Sequence, residues 1–390
     1  MKSAKLLSVI VLLAALVACG GGDDSQDNNN TSRVKSRAFV SNSYLTTGVQ
    51  IIDYNTDRDT FFSITQGLLG FYDARQMALS GDRSKTLLLS REGRSLTLLD
   101  NRQESVLQDS LPLTDVADAI AINQDGSAVY GSVRNSEVEA GTPGAVEYYT
   151  ISSTEIKRDR FVVPLVRNIV LSGDGKTLLA FGEQSNSVYV IDTAGKTTKT
   201  VAGFDRPVNA IFTSDNSKAY ILSCGRECGG NQASVAVLDI ASATASAPVN
   251  LPAATVGLLD GNTLYVAGST TTGGVLSTVS VGTTLSLSGN PIQIGDGFHR
   301  NIVRAAGGKL FIGARACSSG CLSMVNTGNG QAVVGGAKGD VTGMAAIPTR
   351  NVVYVAEGGE LRIYDTTTNA ESTTSSINLT GNAYDVKVID

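Results

Sequence analysis

Tryptophan is absent from this chain of 390 residues, and histidine occurs once, as His299. One imidazole cannot build a multi-histidine metal centre, and no C-x-x-C-H sequence offers a haem attachment point. A hydrolase relying on a Ser-His or Cys-His pair would have to use His299, and no nucleophile elbow precedes a helix. Charge is sparse as well: Asp, Glu, Lys and Arg make up 17% of the chain, the net charge is −5 and no basic cluster occurs, which disfavours nucleic acid as a partner. Long amphipathic helical periodicity is missing after residue 20. The glycine-rich stretches Gly268–Gly274 and Gly335–Gly339 have no helix after them, so they read as loops rather than phosphate cradles. No catalytic residue, metal ligand or cofactor is assigned on these grounds.

What is present is apolar, turn-rich and repetitive. Hydrophobic residues make up 42% of the chain, with 42 glycines. A unit of about 41–49 residues recurs from Arg37 to the last residue, in the range expected of propeller blades. Each copy has a short apolar strand, an Asp-Gly or Asp-Asn turn, an apolar pair, a variable loop, an alternating strand ending near Asp and a polar Thr-rich stretch. Asn168–Val201 and Asn209–Val249 are two such copies. Four short strands per unit predict an all-β fold, a single β-propeller over 37–390. Inner strands begin near Gln76, Ala119, Asn168, Asn209, Ala254, Asn301, Gly343 and Tyr384. The unit begun at Arg37 lacks an inner strand, and the final segment Ala383–Asp390 has no blade after it. Joining the two closes a ring of eight four-stranded blades and removes open sheet edges. Seven is the alternative if Ala254–Gln293 is irregular.

The repeats resemble a known family. VVYVAEGGELRIYDTT at Val352–Thr367, AFVSNSYLTTGVQIIDYN at Ala38–Asn55 and SVYVIDT at Ser187–Thr193 are similar to the YVTN-type β-propeller repeat. The resemblance covers nearly all of Arg37–Asp390. It implies the fold and leaves function open, since similar propellers serve as surface proteins, binding scaffolds, lactonases and parts of electron-transfer enzymes. Ser-Gly-Asp-Gly at 172–175 departs from the family's usual Ser-Pro-Asp-Gly, and Asp-Gly is itself a strong turn. The lack of tryptophan counts against the eight-bladed quinoprotein dehydrogenases, whose blades dock through that residue. The repeated Asp82, Asp125, Asp174, Asp215 and Asp260 read as turn residues rather than metal ligands.

The N-terminus carries an address. Lys2 and Lys5 precede the apolar run Leu6–Val17, too short to span a bilayer comfortably. Leu16-Val17-Ala18-Cys19 resembles the lipobox of bacterial lipoproteins. That resemblance implies a signal peptide over 1–18, cleavage before Cys19, acylation of Cys19 and membrane attachment through the lipid. The segment 19–36 has almost nothing to bury and is expected to be a polar tether. Gly20, rather than aspartate, after Cys19 favours the outer membrane if the organism has one. The four remaining cysteines fall in two local pairs, Cys224 with Cys228 and Cys317 with Cys321, each just after a second strand. In an exported chain they read as disulfides. The rival reading is a metal site, for which His299 alone cannot complete a four-ligand set at each pair.

Candidate binding residues follow from alignment on the turn aspartates. It puts Arg75, Asp118, Arg167, Val208, Ala253, Arg300, Thr342 and Ala383 at one equivalent position, around the mouth of the central channel. With His299 beside Arg300, the mouth is expected to be net positive and suited to a small anion or an acidic side chain of a partner. The longest upper loop is expected at Gly131–Ala145, and both cysteine pairs lie on the same face. These features favour a monomeric, non-enzymatic binding scaffold for a protein or envelope component. A hydrolase or lactonase-like enzyme using carboxylates of that face is the alternative.

Overall fold

The computed structural model describes residues 31–390 apart from 33, 44–47, 65–73, 91, 140–141, 373–376, 378 and 380. The expected signal peptide, Cys19 and most of the tether lie outside the described residues. Second and third strands such as Lys85–Ser90 (KTLLLS) and Ser95–Asp100 (SLTLLD) are leucine-rich and buried at four successive residues. Such runs need both faces of a sheet covered. Outer strands such as Ile156–Val162 (IKRDRFV) are mostly exposed. A ring of radially arranged sheets meets both demands, and this is the fold. Eight antiparallel sheets form, each a meander of four strands; in one, the outer edge is split into two short pieces.

We number the blades from the one opened by the inner strand Ala74–Leu79. Inner strands Ala117–Ile122, Val166–Leu171, Pro207–Phe212, Val256–Asp260, Phe298–Ala305 and Val341–Ala346 open blades 2 to 7. Blade 8 joins the two ends of the chain: the strand Ala383–Val388 pairs antiparallel with Arg37–Asn42, with Ala38 opposite Val388 and Val40 opposite Val386. Arg37 adds an ion pair to Asp390 at 2.7 Å. The region around Ala254–Gln293 is a regular blade, so the count is eight. The core lies between blades. Leu179, Phe181 and Val188 of blade 3, for example, pack on Ala219, Ile221 and Leu238 of blade 4. Each fully buried leucine of this kind stabilises by about 2 kcal/mol.

Both kinds of bottom turn are read directly from the chain. Asp82, Asp174 and Asp215 accept hydrogen bonds from the backbone N–H two residues on, at 2.9, 3.1 and 3.1 Å, and from the hydroxyl two residues before. Asp125 likewise accepts from the Ser127 N–H, at 3.0 Å. Asp260 is the exception: it ends a strand before the two-residue turn Gly261-Asn262 and pairs with Arg304. The turn after the third strand places its fourth residue in the left-handed region in several blades, at Asp57, Glu104, Lys196, Ala243 and Asn369. Three of these reach back to the preceding blade. Asp57 binds Arg350 at 2.5 and 2.8 Å, Glu104 binds Arg37 at 3.0 Å, and the Lys196 ammonium sits 4.1 Å from the Tyr148 ring centroid. The expected long loop Gly131–Ala145 is not a loop. Ala128–Glu139 pairs antiparallel with Thr142–Ile151, with register irregularities near its far end, and 140–141 lie outside the described residues.

Candidate functional site at the channel mouth

Antiparallel meanders send the second-to-third loops and the interblade connections to one face, here called upper. Near this face most inner strands carry a β-bulge. The register skips a residue at Arg75, Arg167, Val208, Arg300, Thr342 and Tyr384, and across Asp118-Ala119. In blade 5 the N–H of Thr255 donates to Ala267 O, which Val256 also faces in the register, so Thr255 holds this place. Bulges re-aim a side chain out of the alternation, and on an inner strand that direction is the channel. Two expected positions are corrected. Ala253 and Ala383 are not equivalent to Arg167; Thr255 and Tyr384 are. The short turn at Gly261 and the absence of an inner turn after Asp390 upset counting from the aspartate.

The residue after the bulge ties the ring together. Asn168 Nδ2 donates to Val208 O at 2.9 Å, Asn209 Nδ2 to Thr255 O at 3.4 Å and Asn301 Nδ2 to Val341 O at 3.4 Å. Asp385 closes the belt by accepting from the Met77 N–H at 2.9 Å. These bonds occupy backbone groups of the next blade's inner strand, which has a ladder partner on one side alone.

Four guanidiniums gather at the mouth. Arg75 comes from blade 1, Arg167 from blade 3, and Arg300 and Arg315 from blade 6. Arg300 is accessible to water yet has protein on most sides, as the lining of a narrow channel should. Burial first, then the charges of Arg315 and Arg167, hold its pKa below the ordinary value, and Asp118 opposes them. Arg75 is lowered by burial and by Arg315, again against Asp118, and its Nη2 donates to Ala117 O. Arg167 shares Glu183 with Arg134, at 3.1 and 2.7 Å. Arg315, which the sequence alignment did not reach because it ends a second strand, has a buried Nε without a hydrogen-bond partner among the described residues.

His299 does not add to this charge. Its ring is buried in the seam between blades 5 and 6, with Nε2 3.0 Å from Gly295 O and Nδ1 3.3 Å from Ser269 Oγ. Burial pulls its pKa down to about 4, so it is neutral at neutral pH. The cysteine pairs form two disulfides above blades 4 and 6, Cys224 to Cys228 and Cys317 to Cys321. Within the first loop, Glu227 accepts from the Ser269 N–H at 2.9 Å, and burial raises its pKa. Other acids near this face are dispersed. Glu147 in blade 2 and Glu357 in blade 7 are buried and bonded to Arg158 and Tyr364 respectively. On the opposite face a cleft of about 540 Å³ lies between the turns of blades 6 and 7, but its Arg304 is paired with Asp260 and its Arg350 with Asp57.

No family model and no curated protein matches the chain. Solved structures do. The chain is similar to hydrazine synthase of Kuenenia stuttgartiensis at 16% identity and TM-score 0.55, covering 80% of this chain and 98% of that one. It is similar to the dihydro-heme d1 dehydrogenase NirN, solved in complex with DHE, at 13% identity and TM-score 0.63, covering 95% of this chain and 78% of that one. The β-propeller domain of Cps50 (Swd1) from Myceliophteria thermophila matches at 11% identity and TM-score 0.55, over 73% of this chain and 93% of that one. At these identities the likeness establishes the fold: this chain is a β-propeller.

Proposed function

We propose that this chain is a YVTN-type propeller exported as a lipoprotein, held at the cell envelope by acyl chains on Cys19. There it acts as a binding scaffold whose channel mouth receives an anionic group of a protein or envelope component. The observation that carries the reading is the gathering of Arg75, Arg167, Arg300 and Arg315 around one opening, where Arg75 and Arg300 feel the repulsion of the other guanidiniums against the attraction of Asp118, and Arg167 is paired with Glu183. An anion relieves that repulsion, and guanidinium forks suit carboxylate and phosphate geometry. The enzymatic alternative needs two carboxyl groups converging on one point. Glu147, Glu183, Glu227 and Glu357 instead belong to four different blades, each engaged in its own bonds.

Titration of wild type and Arg167→Ala/Arg300→Ala with anionic envelope extract tests the mouth. Wild type should bind at low salt and weaken as salt rises, and the double variant should lose most of that binding. Equal binding by both, with one salt dependence, would refute the site. Anchoring has its own check. Cys19→Ser should abolish incorporation of labelled palmitate and detergent partitioning, and unchanged incorporation would refute the lipid on Cys19.

A further inference from the structure

We infer that the mouth is built for a phosphate monoester: a dianionic phosphate on the guanidiniums, with its organic group against Phe298. The inference rests on the anion-binding reading above and goes further by naming the ligand's chemical class. Two observations carry it. The first is charge. Arg75 and Arg300 face the opening with Arg315 close to both, Asp118 is the carboxylate that acts on Arg75 and Arg300, and Glu183 is occupied by Arg134 and Arg167. A monocarboxylate leaves that excess largely uncompensated. A dianion with three equivalent oxygens can accept from several guanidinium forks at once.

The second is an apolar group where a purely inorganic anion would need none. Phe298 is 59% exposed, the most exposed of the large hydrophobic residues described. It stands directly opposite Arg315 in the pairing of the first two strands of blade 6, and two residues before Arg300. Strand alternation sends the intervening His299 the other way, into the seam with blade 5. A flat aromatic face at the rim, next to the cation cluster, fits the ring or chain of an ester rather than water.

The test uses the full chain in mild detergent and calorimetric titration with three probes: phenyl phosphate, inorganic phosphate and benzoate. Phenyl phosphate should bind at least tenfold more tightly than benzoate, and its affinity should fall below pH 6 as it becomes monoanionic while the arginines stay charged. Phe298→Ala should reduce phenyl phosphate to the level of inorganic phosphate, and Arg315→Ala should weaken both phosphates, with melting curves confirming that each variant is folded. Benzoate binding as tightly as phenyl phosphate would overturn the monoester and leave the anion site standing. No binding of any probe would overturn both. Phe298→Ala without effect on phenyl phosphate would overturn the role given to the organic group. The source of the ester is separated by vesicles. Binding to phosphatidic acid but not to phosphatidylglycerol assigns it to a lipid headgroup, whereas binding of phenyl phosphate with no vesicle binding assigns it to a soluble ester.

Discussion

His299 shows how a single residue's environment decides its role. A histidine next to Arg300 in sequence reads as added positive charge, but alternation carries it into the seam, where a charged imidazolium would be desolvated. Its folded pKa of about 4 lies below the ordinary 6.5, so the unfolded chain binds the proton more readily. The stability it contributes is complete above pH 6.5 and is lost as pH falls toward about 4, a span worth about 3 kcal/mol. Glu227 and Glu357, whose pKa values are raised by burial, act in the opposite sense and favour the folded state as pH falls. Comparison of variants isolates the histidine. His299→Gln should flatten the decline in urea stability between pH 6.5 and 4 relative to wild type. Parallel pH profiles for the two proteins would show that His299 is charged or exposed in the folded state.

Among the strands, the segment Ala383–Val388 has the most to do for its length. It completes blade 8, places Val386 and Val388 in the core between blades 7 and 8, and carries Asp385, whose carboxylate closes the belt at Met77. Removing 383–390 exposes the edge of Arg37–Asn42 and the inner faces of two neighbours. The truncated chain should lose a single cooperative urea transition or aggregate at micromolar concentration, and a truncation that unfolds like the full chain would refute closure. This strand was readable from the sequence because AYDVKVID repeats the inner-strand pattern with no blade to follow. The channel register was readable wherever the five-residue bottom turn repeats, at Asp82, Asp125, Asp174 and Asp215. It failed at Ala253 and Ala383, where that turn is shortened or missing. Arg315 gives no signal, since nothing in KLFIGARA marks its arginine as lining a channel. The pairing of Ala128–Glu139 with Thr142–Ile151 is hidden in the sequence because NSEVEAGTPG has the polarity of a loop.

The ring as a whole brings local features to one opening. No blade supplies more than two of the four guanidiniums, and only circular closure brings residues of blades 1, 3 and 6 to one opening. The disulfides stiffen loops of the same face, each by closing a short segment after a second strand. A double-mutant cycle on ligand binding addresses this convergence. Arg167→Ala, Arg300→Ala and the double variant are titrated with phenyl phosphate at low salt, and the coupling between the two positions is calculated. If one ligand is held between blades 3 and 6, each single variant weakens binding about tenfold or more. The double variant then departs from additivity by ~1 kcal/mol or more, since removing either partner lets the ligand shift away from the other. Single variants that bind like wild type would contradict a shared site at the channel mouth.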